Sequence, residues 1–191
     1  MCFSFEVSLA TGLFSWAIGL FILSKKLTKQ ARLKVYFLLI FSSMQFADAI
    51  LWYNKMRRNN INYYTTSVLV PLILAIQILF NIYIYNQINN RFVDAAVWSF
   101  IVYIFIKSNG YSVKSCNNYG SPLWGNWKMT LIDLIIFALF IFYPSINGLL
   151  LGVFFMIISI NVFGGVSGSG WCAISNVGAL TYLYKYYNKL L

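Results

Sequence analysis

The sequence predicts an all-α, polytopic membrane bundle of about seven transmembrane helices, and three observations carry that prediction. Of the 191 residues 60% are hydrophobic and 9% charged, with a mean hydropathy of +0.72, whereas a soluble domain carries roughly a quarter charged residues. The apolar residues come in long runs separated by short polar breaks, the pattern of repeated bilayer crossing. The 14 Lys and Arg residues behind the net charge of +10 sit almost wholly in those breaks. There they read as topology signals and lipid-headgroup contacts, not as a stripe for nucleic acid. The expected partners are therefore membrane lipids, with no nucleic acid, in an integral, multi-pass location.

The first span, 5–23, has no basic leader before it and positive residues after it, so it is expected to stay uncleaved. The break that follows holds Lys25, Lys26, Lys29, Arg32 and Lys34, the most basic stretch of the chain. The positive-inside bias puts it in the cytosol, which makes the chain N-out and C-in. On that topology Arg91, Lys185 and Lys189 bring the inner total to eight, against six outside (Lys55, Arg57, Arg58, Lys107, Lys114 and Lys128). The second span covers 33–53 and the third 63–85. The fourth, 92–106, and fifth, 127–142, are short for a hydrocarbon core of about 30 Å, which asks for about 20 residues, and six spans is the alternative count. The sixth runs over 146–163, and the seventh over 171–187.

The longest connection, 107–126, and the Gly-rich break 164–170 fall on the outer side and have loop chemistry. Trp52, Trp124, Trp127 and Trp171 fall at the outer ends of their spans and Tyr182, Tyr184, Tyr186 and Tyr187 at the inner end, where aromatic residues anchor helices at the bilayer interface. No internal repeat and no soluble domain emerges, so residues 1–191 read as one transmembrane helical domain.

The chain has no His and only four acids, Glu6, Asp48, Asp94 and Asp133, which removes imidazole acid–base and metal-ligand chemistry. No metal and no cofactor are expected. Asp48 stands out, because a carboxylate at a helix centre in the bilayer costs ~2.5–3.5 kcal/mol on the insertion scale unless it has company. It lies ~10 Å below Lys55, in the outer half of the membrane. Ser42, Gln45, Asp48 and Trp52 recur at three- to four-residue steps and share one face, which is expected to look inward. Asp48 is either an ion- or proton-handling group or a polar link between helices. Asp133 fits a capping box with Thr130, Asp94 occupies the first turn of its helix after Arg91, and Glu6 is a first-turn interfacial charge.

Ser4, Ser8, Thr11 and Ser15, with Gly12 and Gly19, make a small polar stripe on the first helix, and Gln77 and Asn81 stand one turn apart on the third. Such stripes line solute paths or glue helices together, and packing is the simpler reading here. Gly148 and Gly152 form a GxxxG on the sixth helix. The topology places Cys2, Cys116 and Cys172 on the outer side, where one disulfide and one leftover thiol can form, the pair Cys116–Cys172 tethering the long loop. A thiol or metal site of Cys2 and Cys172 with Asp48 lacks recognised ligand spacing.

The opening Met1-Cys2-Phe3-Ser4, the stretch from Ser43 to Trp52, and Gly168-Ser169-Gly170-Trp171-Cys172-Ala173-Ile174-Ser175-Asn176 together resemble an uncharacterised multi-pass membrane family. Its members begin with the same four residues and occur in bacteria, algae and large DNA viruses. The resemblance implies the same helical fold and an unassigned activity, and singles out Cys2, Ser4, Gln45, Asp48, Trp52, Trp171, Cys172 and Asn176. This chain has Asp48 where the family commonly has Glu, and Ala173 where a second Trp often follows. Two other seven-helix families fit less well. A retinal-binding protein needs a lysine inside the seventh helix, whereas Lys185 lies at its end, and the metal-dependent hydrolases rely on histidines.

The functional expectation is a small-solute or ion transporter or channel with a polar site in the outer half of the bundle, drawn from Ser8, Gln45, Asp48, Trp52, Trp171 and Asn176. A structural or assembly protein of a cellular or viral membrane, with no ligand, is the alternative. A thiol-dependent membrane enzyme is third, since no catalytic set emerges. Substrate, oligomeric state and host membrane are not inferable from these residues.

Overall fold

The computed structural model describes residues 4–114, 122–127, 130–145, 149–150, 152–154, 157 and 167–191, with the backbone alone at 167–173. Helix α1 is Phe5–Leu23, capped by the Ser4 hydroxyl, which accepts from the Val7 amide at 3.2 Å. A short break leads through the cap Thr28 into α2, Lys29–Ser42. Helix α3, Met44–Tyr53, continues the same rod past a turn at Ser43. Two adjacent serines explain the interruption. The Ser42 hydroxyl donates to the Leu38 carbonyl at 2.8 Å and the Ser43 hydroxyl to the Leu39 carbonyl at 2.8 Å, and such back-bonding competes with the helical ladder and bends it.

The next rod starts at α4, Asn60–Tyr64, passes through a widened π segment Thr65–Leu69, straightens into α5, Val70–Leu79, and widens again over Phe80–Tyr85. Pro71 accounts for the first widening: it has no N–H to offer and its ring presses on the carbonyl four residues back, so the turn before it opens and the Val70 amide reaches the Thr65 carbonyl five residues back. At the second, the Asn86 amide bonds the Asn81 carbonyl at 3.0 Å, again five residues back. Helix α6 is Arg91–Ser108, and α7 is Leu131–Phe142. The Thr130 capping box forms in full: the Asp133 amide donates to the Thr130 hydroxyl at 3.2 Å and the Thr130 amide to the Asp133 carboxylate at 2.8 Å. Helix α8 is Ser167–Tyr187.

Among the described residues, three helices are long and apolar enough to cross a membrane: Phe5–Leu23, Lys29–Tyr53 and Asn60–Tyr85. The expected second, third, fourth and seventh spans begin one to four residues earlier than their apolar runs, because polar N-terminal turns carry the caps Thr28, Asn59 and Asn90. Helix α7 is shorter than the run from which it was expected: Trp127 lies outside it, and 12 residues reach only ~18 Å. The Gly-rich break also ends sooner, since Ser167–Gly170 already belong to α8. Most of the sixth expected span and Gly148 of its GxxxG lie outside the described residues.

Beside an apolar core, the described helices bury polar side chains and expose many large aliphatic ones. Ser8, Ser15, Gln45, Asp48, Asn62, Thr66 and Gln77 are buried, while Leu13, Leu20, Leu72, Ile76, Ile84, Val102 and Leu180 are exposed, Leu13 at 54%. Polar groups inside and aliphatic groups outside suit a lipid environment, in which hydroxyls and amides find partners only within the protein. On α1 the buried line is Ser8, Gly12, Ser15 and Gly19. A Cβ on Gly19 would lie 2.6 Å from the Leu39 side chain, and one on Gly12 3.0 Å from the Phe46 ring, so these glycines let α1 approach α2 and α3 closely.

Breaks alternate between two ends. Residues 54–59 share an end with 109–114 and 122–127: the Asn62 side chain donates to the Ser112 carbonyl at 2.9 Å, and the Tyr63 hydroxyl to the Asn109 side chain at 3.2 Å. A two-residue antiparallel pair, Val113–Lys114 with Pro122–Leu123, folds the long connection back at that end. At the opposite end the Asn86 side chain donates to the Tyr143 carbonyl at 2.8 Å, and the Phe21 and Tyr186 rings meet edge to face at 6.1 Å.

Candidate functional site

The site is built where α1, α3 and α8 meet under the long connection. Helix α3 turns Gln45 and Asp48, one turn apart, onto its buried face, and both have no solvent exposure. The level is set by Gly12, whose missing side chain leaves room for the Gln45 stem 3.3 Å from where a Cβ would stand. One turn toward the Lys55 end of each helix stand Ser8 and Asp48. Helix α8 completes the wall: the Gln45 amide donates to the Ser175 hydroxyl, and the Ser15 hydroxyl donates to the Asn176 side-chain oxygen at 2.9 Å.

Among the described residues Asp48 gains its donor from far along the chain. The Trp124 indole N–H reaches its Oδ1 at 3.1 Å, and both residues are buried. The turn Trp124–Gly125–Asn126–Trp127 that presents this indole is held by the end of α6, with the Asn126 side chain donating to the Asn109 carbonyl at 3.1 Å. Gly125 has φ +61°, and a Cβ there would stand 2.4 Å from the Ser108 carbonyl oxygen. Only glycine fits both the left-handed backbone and the close approach.

Among the described residues the second carboxylate oxygen of Asp48, Oδ2, is buried without a hydrogen-bond partner, as is the Ser8 hydroxyl. An ionised carboxylate in low dielectric needs more than one donor, so Oδ2 is the place where a proton or a small cation would be held. Asp133 makes the contrast. Its oxygens take the Tyr103 hydroxyl at 2.9 Å, the Trp127 indole at 3.3 Å and the Thr130 amide, a fully answered charge with a structural task. Asp94 likewise takes the Tyr83 hydroxyl at 2.7 Å.

Of the residues expected at the site, Gln45, Asp48 and Asn176 lie in this three-helix junction and Ser8 lies beside it. Trp52 is half-buried at its rim, where the Lys114 ammonium stands 5.8 Å from the ring centre. Cys2 and Cys116 lie outside the described residues, as do the side chains of Trp171 and Cys172. Among the described residues no three His, Cys, Asp or Glu side chains converge. By their positions at span ends Trp124 and Trp127 are expected in an interfacial belt. The structure instead buries both, because each indole N–H finds a carboxylate once the aromatic body is packed in the core. For Trp127 the signal is Asp133, six residues on in the first turn of α7; no local signal marks Trp124, whose acid lies 76 residues away.

Comparison with protein-family models, with curated proteins and with solved structures finds no match to this chain.

Proposed function

We propose that the chain is a polytopic membrane protein of about seven spans, N-terminus outside and C-terminus inside, that moves a proton or small cation through a polar site around Asp48. The observation that carries this reading is the half-answered carboxylate: fully buried, one oxygen held by Trp124, the other without a partner. Binding a cation or a proton at Oδ2 removes the uncompensated charge, and release restores it, so the group has two states whose balance an occupant shifts. Trp124 fixes the carboxylate plane in both. Gln45, Ser175, Ser15 and Asn176 supply a hydrogen-bonded polar strip beside it. The resemblance to the family beginning Met-Cys-Phe-Ser belongs to the same proposal, since the stretches that carry it include Gln45, Asp48, Ser175 and Asn176.

The test is flux. The purified chain in proteoliposomes should carry protons or an alkali cation down an imposed gradient, and Asp48→Asn should abolish that flux while leaving the helical content unchanged. Equal flux in the two proteins would end the proposal.

A second reading rests on the same Trp124 bond, which joins segments 76 residues apart: Asp48 would be an assembly clamp that seats the long connection on the bundle. It predicts no flux in either protein, and a melting temperature that falls for Asp48→Leu but holds for Asp48→Asn, whose side-chain oxygen still accepts the indole.

A further inference from the structure

At the end opposite the Asp48 junction a cleft of about 530 Å³ opens between α2, the second π segment, the end of α7 and the α8 stretch from Ile174 to Lys185. That volume lies within the roughly 300–1,000 Å³ of small-molecule sites. Its cations are Lys34 and Lys185, and Tyr85 and Tyr182 also line it. None of the chain's four acids is in the lining, so the two ammonium groups face no carboxylate there. Below them the walls are apolar, with Phe37, Phe142 and Val177. Gly152 keeps the far wall thin: a Cβ on it would lie 2.3 Å from the Phe142 ring.

We propose that this cleft binds a phosphate group carried on an apolar tail, Lys34 and Lys185 pairing with the phosphate oxygens and the aromatic and aliphatic walls taking the first part of the tail. The chemistry on the page matches that ligand in sign, in amphipathic layout and in position. Cations and phenol hydroxyls suit phosphate, the apolar walls suit hydrocarbon, and the cleft lies where helices end, at headgroup depth in a bilayer. The proposal does not depend on what Asp48 does. It is independent of transport.

The experiment measures binding to the full-length chain in detergent, by native mass spectrometry and by the shift in melting temperature. The probes are phosphatidylglycerol, phosphatidylcholine and the soluble compound glycerol 3-phosphate. Phosphatidylglycerol should be retained and should raise the melting temperature, phosphatidylcholine should not, and Lys34→Gln/Lys185→Gln should weaken the anionic lipid about thirtyfold. Lys34→Arg/Lys185→Arg should restore it, which separates lost charge from a damaged fold. The paired control Lys26→Gln/Lys29→Gln, outside the cleft, should bind as the parent does. Glycerol 3-phosphate binding as tightly as the lipid, with the same lysine dependence, would show that the walls take no tail and would overturn the proposal in favour of a soluble phosphate ligand. Equal retention of the two lipids, or an unchanged anionic preference in the double glutamine variant, would overturn the proposal.

Discussion

Two residues beyond Asp48 decide whether the junction keeps its shape. Trp124 contributes a buried ring and one N–H, and Trp124→Phe retains most of the first while deleting the second. Leaving a buried carboxylate without its donor costs about 1–3 kcal/mol, so the melting temperature of the detergent-solubilised protein should fall. An unchanged melting temperature would mean that the indole N–H gives Asp48 no measurable support. Gly125→Ala attacks the same contact from behind, because the φ of +61° and the 2.4 Å approach to the Ser108 carbonyl leave no room for a methyl group. A strained backbone of this kind costs about 1–3 kcal/mol, and the loss should not add to that of Trp124→Phe, since both act through one turn. Full additivity in the double variant would show that the turn and the indole work separately. Asp48 was legible in the sequence because an acid in an apolar run is conspicuous by itself. Trp124 was not, since nothing local distinguishes an indole that meets a carboxylate 76 residues away from one that meets headgroups.

At the scale of elements, the caps and the α1 stripe were readable because they are local. Thr130 and Asp133 are three residues apart, and Ser8, Gly12, Ser15 and Gly19 repeat with the helical period. The widened segments on either side of α5 were not readable. Pro71 marks a disturbance without saying which carbonyls will be rehoused, and the Phe80–Tyr85 segment contains no proline at all. Its shape is held from outside: the Asn81 side chain donates to the Phe140 and Tyr143 carbonyls at 2.8 and 2.9 Å, and Asn86 reaches back to the Asn81 carbonyl. Asn81→Leu removes both donations to the end of α7, where the Phe140 carbonyl has passed the last helical amide able to serve it. A stability loss of about 1–3 kcal/mol follows. Hydrogen exchange should rise at the end of α7 and spare the Asn62–Ser112 contacts at the other end. Uniform loosening along the whole rod would contradict a local clamp.

Over the whole molecule, the decisive feature is that the described breaks alternate between two ends while a set of polar side chains is buried and many aliphatic ones are exposed. Neither fact depends on how many helices are individually long enough, and α7 is not; a short helix is tolerated where local bilayer thinning or snorkelling flanking residues close the gap. Alternation makes a prediction about sidedness that single-helix hydropathy does not. In a background with Cys2, Cys116 and Cys172 replaced by Ser, an impermeant thiol reagent applied to sealed vesicles should treat Lys55→Cys and Asn109→Cys alike, because contacts such as Tyr63 to Asn109 tie their segments together. It should treat Lys26→Cys, Gln87→Cys and Asn188→Cys alike and oppositely to the first pair, since Asn86 and Tyr143 meet at that end, and Phe21 and Tyr186 do too. The eight-to-six distribution of Lys and Arg adds the direction: in vesicles that keep the cytosolic face inside, the first pair should label directly and the other three only after the membrane is breached. Reversal of both groups together would overturn the orientation and leave the bundle standing. Labelling of positions 55 and 109 from opposite sides would break the alternation itself, and with it the reading of Asp48 as a group within the membrane.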